Sequence, residues 1–322
     1  MLDVLSVGEA LVDMTPAETA AGERCFLPKA GGAPVNVACA LAKLGKNAAF
    51  AGRVGEDAFG RQLADALASA GVETALLQRD RQRHTTLAFV HLDEQGERSF
   101  SFCRKGMADT AFQADEKTLS AARESRIFHF GSVALAEERS RSAVLELLYA
   151  AQTAGRLISC DPNLRFPLWD DHSAMKRAVL DVLPAVDILK IAEEEAEFLF
   201  GLADPAKAAQ YAQETFGARA VFVTCGGKGA WAALDGVLCF APAYAVETVD
   251  TTGAGDGFCG AALAILLERT DGLSGWSQEE GTALLRFACA AGSLAVTRKG
   301  AIDALPTRTE VERCVAEGKT AE

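Results

Sequence analysis

The stretch RIFHFGSVALAEERSRSAVLELLYAAQTAGRLISCD, residues 126–161, contains the alternation that decides the fold. Its two ends, 126–131 and 156–161, are short apolar runs of the kind that form buried strands. Between them, residues 141–155 place apolar side chains at helical spacing and finish on Gly. A strand, a helix and a second strand in this order predict two parallel strands in one sheet.

The same alternation extends along most of the chain. Further buried strands are predicted at 4–8, 186–191 and 220–227, and further helices at 34–45 and 193–201. The sequence therefore predicts an α/β fold, in which a mostly parallel central sheet has helices on both faces. Because we find no internal repeat and no low-complexity linker, we interpret residues 1–322 as a single domain.

One region departs from this alternation. Residues 83–104 form two alternating apolar and polar runs around Asp-Glu-Gln-Gly at 93–96, with no helix after them. Together with an irregular piece at 14–30, this hairpin predicts a small β-sheet lid made of about 14–32 and 83–107. Lids of this kind close over a substrate and exclude water.

The composition excludes several classes of protein. The chain has 322 residues, of which 49% are hydrophobic, so a disordered protein is excluded. Its 32 Lys and Arg against 44 Asp and Glu give a net charge of -12, which disfavours a nucleic-acid partner. The sequence shows no signal peptide and no run long enough to cross a membrane, so we expect no membrane association and a cytoplasmic location.

The nine cysteines and four histidines do not form a recognisable metal or disulfide pattern. No Cys-x-x-Cys occurs, and the histidines lack ligand spacing. We therefore expect most of the cysteines to be small buried side chains in a reducing compartment.

The stretch VDTTGAGDGFCG, residues 249–260, carries the chemistry. Gly253, Ala254 and Gly255 have no bulky side chains and precede an apolar helical pattern, so this loop should end on a helix N-terminus. Backbone N–H groups and the helix dipole at such an end bind phosphate. Asp256 would then lie in the first helical turn, where its carboxylate can take a proton from a hydroxyl attacking that phosphate.

Two other interpretations of this loop compete with phosphoryl transfer. Residues 255–260 also fit G-x-G-x-x-G, but the segment before them is a poor strand, which disfavours a dinucleotide site. Simple helix capping by Asp256 explains the acidic residue equally well when the loop is considered alone.

Several separated motifs resemble the ribokinase-like (PfkB-type) sugar kinase family. They are GGAPVNVA at 31–38, GRVGEDAFGRQL at 52–63 and DTTGAGDGF at 250–258, and the likeness runs from VGEALVD at 7–13 to VTRKGA at 296–301. Within this family, TLAFVHLDEQGERSFSFCRKGMAD at 86–109 and DPNLRFPLW at 161–169 are similar to the corresponding stretches of fructokinases.

The resemblance implies ATP-dependent phosphorylation of D-fructose to fructose 6-phosphate. Asp256 would be the general base, and the N–H groups of Gly253, Ala254 and Gly255 would form the anion hole for the transferred group. Kinases of 2-keto-3-deoxygluconate, ribose or a riboside share this chemistry and remain alternatives. A catalytically silent sugar-binding relative and a nicotinamide oxidoreductase are alternatives from other classes.

The resemblance also implies a set of binding residues. The sugar would contact Asp13, Gly31, Gly32, Asn36, Arg104, Arg165 and Asp256, while an exposed, solvated Arg104 is the competing interpretation of that residue. The nucleotide would contact Lys190, Thr224, Gly226, Gly229 and Gly255.

The expected cofactors are ATP, Mg²⁺ and, as an activator, K⁺. Glu195 would organise the water shell of Mg²⁺, whereas Glu193 and Glu194 would only complement a helix dipole. Carbonyl oxygens of Asp250, Thr252, Ala295, Arg298 and Gly300 would surround K⁺. The family resemblance further implies a homodimer through the lid.

Overall fold

The computed structural model describes residues 2–92, 98–270 and 272–320. Its strands are β1 (Val4–Val7), β2 (Leu11–Glu18), β3 (Arg24–Gly31), β4 (Ala48–Gly55), β5 (Leu77–Asp80), β6 (Thr86–Leu92), β7 (Arg98–Cys103), β8 (Ile127–Gly131), β9 (Leu157–Asp161), β10 (Ile188–Ala192), β11 (Ala220–Thr224), β12 (Ala230–Leu234) and β13 (Val237–Ala241). Its helices are α1 (Ala33–Lys43), α2 (Ala58–Ser69), α3 (Glu116–Glu124), α4 (Glu138–Thr153), α5 (His172–Val182), α6 (Glu193–Phe200), α7 (Pro205–Phe216), α8 (Ala254–Leu266), α9 (Gln278–Ala295), α10 (Ala301–Ala304) and α11 (Arg308–Glu317).

The central sheet confirms the predicted α/β fold. Within the described ranges its strand order is β13-β12-β11-β10-β9-β8-β1-β4-β5. Neighbours from β5 to β11 run parallel, and the edge pairs β11–β12 and β12–β13 are antiparallel. The stretch at 126–161 forms β8, α4 and β9, and these two strands pair in parallel from Ile127–Leu157 to Gly131–Asp161.

Helices cover both faces of this sheet because the strands are apolar on both sides. One buried cluster packs α1, α8 and α9 against the sheet and includes Leu41, Leu263 and Leu285. A second cluster on the other face packs α4, α5 and α7 against it. The carboxyl ends of the parallel strands are left for the loops, which is where open α/β sheets bind ligands.

A second, small sheet has the order β3-β2-β6-β7. It consists of two antiparallel hairpins, β2–β3 and β6–β7, which join where Leu11–Met14 pair in parallel with Thr86–Phe89. The Asp-Glu-Gln-Gly turn predicted at 93–96 lies outside the described residues.

The prediction of an irregular piece at 14–30 is wrong, because β2 and β3 pair continuously from Leu11–Gly31 to Glu18–Arg24. Two prolines made these runs look unlike strands. Pro16 lies beyond the part of β2 that pairs with β6, and Pro28 lies on the edge strand β3. Proline is tolerated at positions of this kind, where one side of the strand has no partner.

The edge strand β3 carries two exposed apolar side chains. Phe26 is 42% exposed and Leu27 is 51% exposed. Phe26 also packs edge-on against Phe89 of β6, with 5.3 Å between the ring centroids, so Phe89 holds the two hairpins together. The homodimer through the lid stays a prediction.

Gly260 allows α1 and α8 to pack closely. A Cβ atom at Gly260 would lie 2.5 Å from the Cβ of Ala40 and 3.3 Å from the carbonyl oxygen of Val37. Since both helices are buried at this point, they can separate only by disturbing the core.

We predict that Gly260→Val lowers the free energy of unfolding by about 2–3 kcal/mol, because it forces the two helices apart in a close-packed core. Urea unfolding of the variant and the wild type measures this difference. Gly227→Val is the control, since a Cβ at the exposed Gly227 meets no atom within 4 Å. Its free energy of unfolding should stay within about 0.5 kcal/mol of wild type, and an equal loss in both variants would contradict the steric explanation.

Candidate active site

The loop before α8 places a helix N-terminus at the carboxyl edge of the central sheet. Gly253 immediately precedes α8 and has φ 83°, a left-handed conformation that glycine adopts without strain. The first N–H groups of a helix have no partner inside that helix, so this turn presents donors and the positive end of the dipole. The sequence prediction that the glycine-rich loop ends on a helix is confirmed.

This loop separates two cavities. The first has a volume of about 540 Å³ and lies between the small sheet and the loop, and Phe100, Asn163, Thr252 and Asp256 are among its lining residues. The second has a volume of about 400 Å³, and Thr224, Tyr244, Phe258 and Ser293 are among its lining residues. Thr251 and Gly255 line both cavities, so the wall between them there is formed by this loop.

Asp256 lies on the side of the first cavity. Its side chain is buried, and its Oδ2 atom accepts a hydrogen bond of 2.7 Å from Nδ2 of Asn36 on α1. Burial raises the pKa of Asp256, while the Asn36 hydrogen bond and the charges of Lys190 and Arg165 act in the opposite direction. The carboxylate is therefore a stronger base than an exposed aspartate, and Asn36 holds it in place.

A buried ion pair lies beside the loop. The Nζ atom of Lys190 on β10 is 3.0 Å from Oδ2 of Asp161 at the end of β9. Although burial alone would lower the pKa of Lys190, the carboxylates of Asp161 and Glu195 raise it, so the ammonium stays charged. A Cβ atom at Gly255 would lie 3.0 Å from this Nζ, which places the charge against the wall between the cavities.

Most of the residues predicted to bind sugar are brought together. Asp13, Gly32, Asn36, Arg165 and Asp256 all line the first cavity, whereas Gly31 does not. The Nη1 atom of Arg165 donates to the side-chain oxygen of Asn163, which fixes the guanidinium at the cavity wall.

Aromatic side chains of β7 complete the first cavity. Phe100 and Phe102 stack with 6.0 Å between their centroids, and both line the cavity. Across from them, Phe166 and Leu168 belong to a short turn that contacts β7. The hairpin therefore contributes an apolar wall to the cavity.

Arg104 is buried and paired with a carboxylate. It is only 4% exposed, so the exposed, solvated alternative is wrong, and it is not among the residues that line the first cavity. Its Nε atom donates a 2.7 Å hydrogen bond to Oδ2 of Asp109, whose other oxygen accepts from the hydroxyl of Thr86. Asp109 is the last residue of the stretch at 86–109 that resembles fructokinases, but no pattern in the sequence indicated that it pairs with Arg104.

The predicted nucleotide residues divide between the two cavities. Thr224, Gly226, Gly229 and Gly255 line the second cavity. Lys190 lines the first cavity instead, next to Gly255.

Glu195 is not at the wall of either cavity. Its Oε1 atom accepts the backbone N–H of Leu164 at 2.5 Å, and its Oε2 atom accepts that of Ala192 at 2.9 Å. This carboxylate thus fastens the loop that carries Arg165 to the start of α6. Glu194, which the sequence analysis assigned only to the helix dipole, lines the first cavity.

The residues predicted to surround K⁺ lie on two segments that do pack together. Asp250 accepts the N–H of Thr252 at 2.8 Å through Oδ1 and that of Gly300 at 3.0 Å through Oδ2. Ala295 ends α9, and Arg298 forms an ion pair with Glu310. Among the described residues, no group of three or more His, Cys, Asp or Glu side chains could hold a metal ion.

Two acidic residues of this region were missed by sequence reasoning. Glu9 follows β1 by two residues and lines the first cavity, and Asp161 ends β9. Both lie at the carboxyl ends of buried parallel strands, and that position was a signal that could have found them.

In the described part of the chain, no helix combines the length and the apolar character that a membrane crossing needs.

The nine cysteines are all free, and six of them are buried, as expected for small core side chains.

Comparisons with known proteins agree with this geometry. The model of the pfkB family carbohydrate kinases matches residues 1–308. Probable fructokinase-4 of Arabidopsis thaliana is 37% identical over 312 residues, which are 96% of this chain and 95% of that protein.

Two solved structures are similar over nearly the whole chain. The fructokinase of Xylella fastidiosa with bound ATP has a TM-score of 0.88 and 34% identity, covering 98% of each chain. The fructokinase of Vibrio cholerae O395, bound to fructose, ADP and calcium ion, has a TM-score of 0.86 and 35% identity, covering 98% of this chain and 99% of that one. The fold, the two cavities and these matches together lead to one conclusion: the chain belongs to the pfkB family of carbohydrate kinases.

Proposed function

We propose that this protein transfers the γ-phosphoryl group of ATP to the O6 hydroxyl of D-fructose, giving fructose 6-phosphate. The observation that carries the proposal is the position of the loop at 251–256, which separates two cavities and turns Asp256 toward the first of them. Relatives of this chain have been solved with ATP bound, and with fructose and ADP bound, which supports a nucleotide in the second cavity and a sugar in the first.

In this proposal Asp256 takes the proton of the attacking hydroxyl. Asn36 orients the carboxylate through its 2.7 Å hydrogen bond. The carboxylate of the base is therefore held in a fixed orientation relative to the sugar hydroxyl. The N–H groups at the start of α8 and the ammonium of Lys190 stabilise the negative charge of the transferred group. The oxygen then attacks the phosphorus in line with the bond to ADP, and ADP leaves through the second cavity.

A divalent cation bound with ATP would supply Lewis-acid neutralisation of the phosphate charge. The donor set fits an ion held mainly by phosphates and water, as Mg²⁺ prefers, because Glu194 is available at the cavity and Glu195 lies behind it. The residues Asp250, Thr252, Ala295, Arg298 and Gly300 remain our proposal for a K⁺ site.

One observation favours a second candidate, a kinase of 2-keto-3-deoxygluconate. Arg165 lines the first cavity, and a guanidinium there would also suit the carboxylate of an acid sugar. Fructose remains the better-supported substrate, because a relative with 35% identity has been crystallised with it.

The substrate assignment predicts the outcome of a panel assay. With MgATP and K⁺, ADP release should show a higher kcat/KM for fructose than for 2-keto-3-deoxygluconate, ribose, glucose, mannose, adenosine or inosine. Preference for another sugar would leave the kinase chemistry intact but refute fructose. If no compound reacts, direct binding of each sugar would test the catalytically silent alternative.

The role of Asp256 predicts the effect of Asp256→Asn. Turnover should fall by roughly 10²- to 10⁴-fold, because the general base is lost while the shape of the side chain is kept. The dissociation constants of fructose and ADP, measured by calorimetry, should change little. Turnover near the wild-type value would refute the assigned role.

The hydrogen bond from Asn36 predicts a change in the pH profile. Because donation to the ionised carboxylate lowers the pKa of Asp256, Asn36→Ala should raise that pKa. The base is lost as pH falls through its pKa, so the acidic limb of kcat/KM should move to higher pH. Asn47→Ala, at an exposed position, is the matched control and should leave the profile in place.

A further inference from the structure

Glu9 is a buried carboxylate at the wall of the first cavity. It is only 4% exposed, and it lines the cavity together with Asp13, Gly32 and Asn36. Its Oε1 atom accepts the N–H of Ala33, the first residue of α1, at 3.1 Å. Its Oε2 atom is buried and has no hydrogen-bond partner among the described residues. An unsatisfied carboxylate oxygen in such a place is costly unless something else binds it.

The backbone brings Glu9 to this position. Gly32 has φ 111°, and a Cβ atom there would lie 2.5 Å from the carbonyl oxygen of Glu9. Only glycine therefore permits the close approach of the two chain segments, which sets the Glu9 carboxylate against the first turn of α1. Gly32 itself offers no side chain to cap this helix, so Glu9 supplies the acceptor.

The charged groups near Glu9 do not give its Oε2 atom a hydrogen-bond donor. Burial and, to a smaller extent, Asp109 raise the pKa of Glu9, while the backbone amides of Glu9 and Ala33 and the charge of Arg104 lower it, and the resulting pKa is about 7. Arg104 already donates to Asp109 at 2.7 Å, and its own Nη2 atom is buried without a partner among the described residues. A hydroxyl that donates to Oε2 would favour the ionised carboxylate beside this guanidinium.

We propose that Oε2 of Glu9 accepts a hydrogen bond from a hydroxyl of the bound sugar other than O6, so that Glu9 determines which sugars are accepted. The proposal rests on the proposed function, since it takes fructose as the occupant of the first cavity. The two carboxylate oxygens of Glu9 thereby have different partners. Oε1 accepts the N–H of Ala33 at the start of α1, the helix that carries Asn36, and Oε2 accepts the sugar hydroxyl.

Deoxy sugars test this contact directly. We would measure kcat/KM of wild type and Glu9→Gln for D-fructose and for its 1-deoxy, 3-deoxy and 4-deoxy analogues. In the wild type, kcat/KM for one analogue should be roughly 10- to 100-fold lower than for D-fructose. That analogue lacks the hydroxyl that donates to Oε2, so a buried carboxylate oxygen is left unpaired. In Glu9→Gln the same preference should shrink to about threefold or less, since an amide N–H₂ group replaces the acceptor.

The glutamine variant separates this role from a structural one. Its side-chain oxygen can still accept the N–H of Ala33, so the cap on α1 is kept, and thermal unfolding and ADP affinity should stay close to wild type. Glu146→Gln, at an exposed position of α4, is the matched control and should keep the wild-type preference among the analogues. Glu9→Asp is a second test of the contact. It keeps the negative charge but shortens the side chain by one methylene, so it should also lose the preference for fructose over the deoxy analogue.

The outcomes distinguish the two proposals. A wild type that phosphorylates fructose while every variant keeps the same analogue preferences would overturn the role of Glu9 alone. A wild type with no preference among the analogues would do the same. A wild type inactive on fructose would overturn the proposed function and, with it, the contact to Glu9.

Discussion

The close packing of α1 against α8 is the constraint on which the site depends. Gly260 leaves room for Ala40, and this approach brings Asn36 within hydrogen-bond distance of Asp256, a residue 220 positions further along the chain. The residues near the start of α1 that line the first cavity and the glycine-rich turn before α8 are thereby held in one rigid unit. Functional side chains placed on rigid elements keep a more constant geometry than side chains placed on loops.

The site combines charges of both signs in a strongly acidic protein. The net charge of -12 gives the protein no general attraction for anions, so the phosphate binding that we propose depends on local groups. Lys190, Arg165 and the N-terminus of α8 supply positive potential around the loop, and Asp161 keeps Lys190 charged and in place. The charges of Lys190 and Arg165 also act on Asp256, where they favour the ionised carboxylate.

Periodicity and glycine positions predicted the central sheet, because buried parallel strands and amphipathic helices leave distinct patterns. The same reasoning failed for β2 and β3, where Pro16 and Pro28 obscured a hairpin that is stabilised by pairing along its length. Side-chain contacts between segments that are distant in the sequence also could not be predicted. Nothing near Arg104 indicates that Asp109 and Thr86 would surround it, and nothing near Glu195 indicates that both of its oxygens would accept backbone N–H groups. The residue roles at the site therefore stay predictions from resemblance, with the structure showing which of them lie together.

The small sheet is built from two hairpins that come from distant parts of the chain and share only a short parallel ladder, from Leu11–Thr86 to Met14–Phe89. Asp13 lies on one hairpin, and Phe100 and Phe102 lie on the other. The polar and the apolar walls of the first cavity consequently belong to separate units. The four residue pairs of this ladder include Leu11 and Asp13, which line the cavity, so a change in their pairing would shift both walls at once.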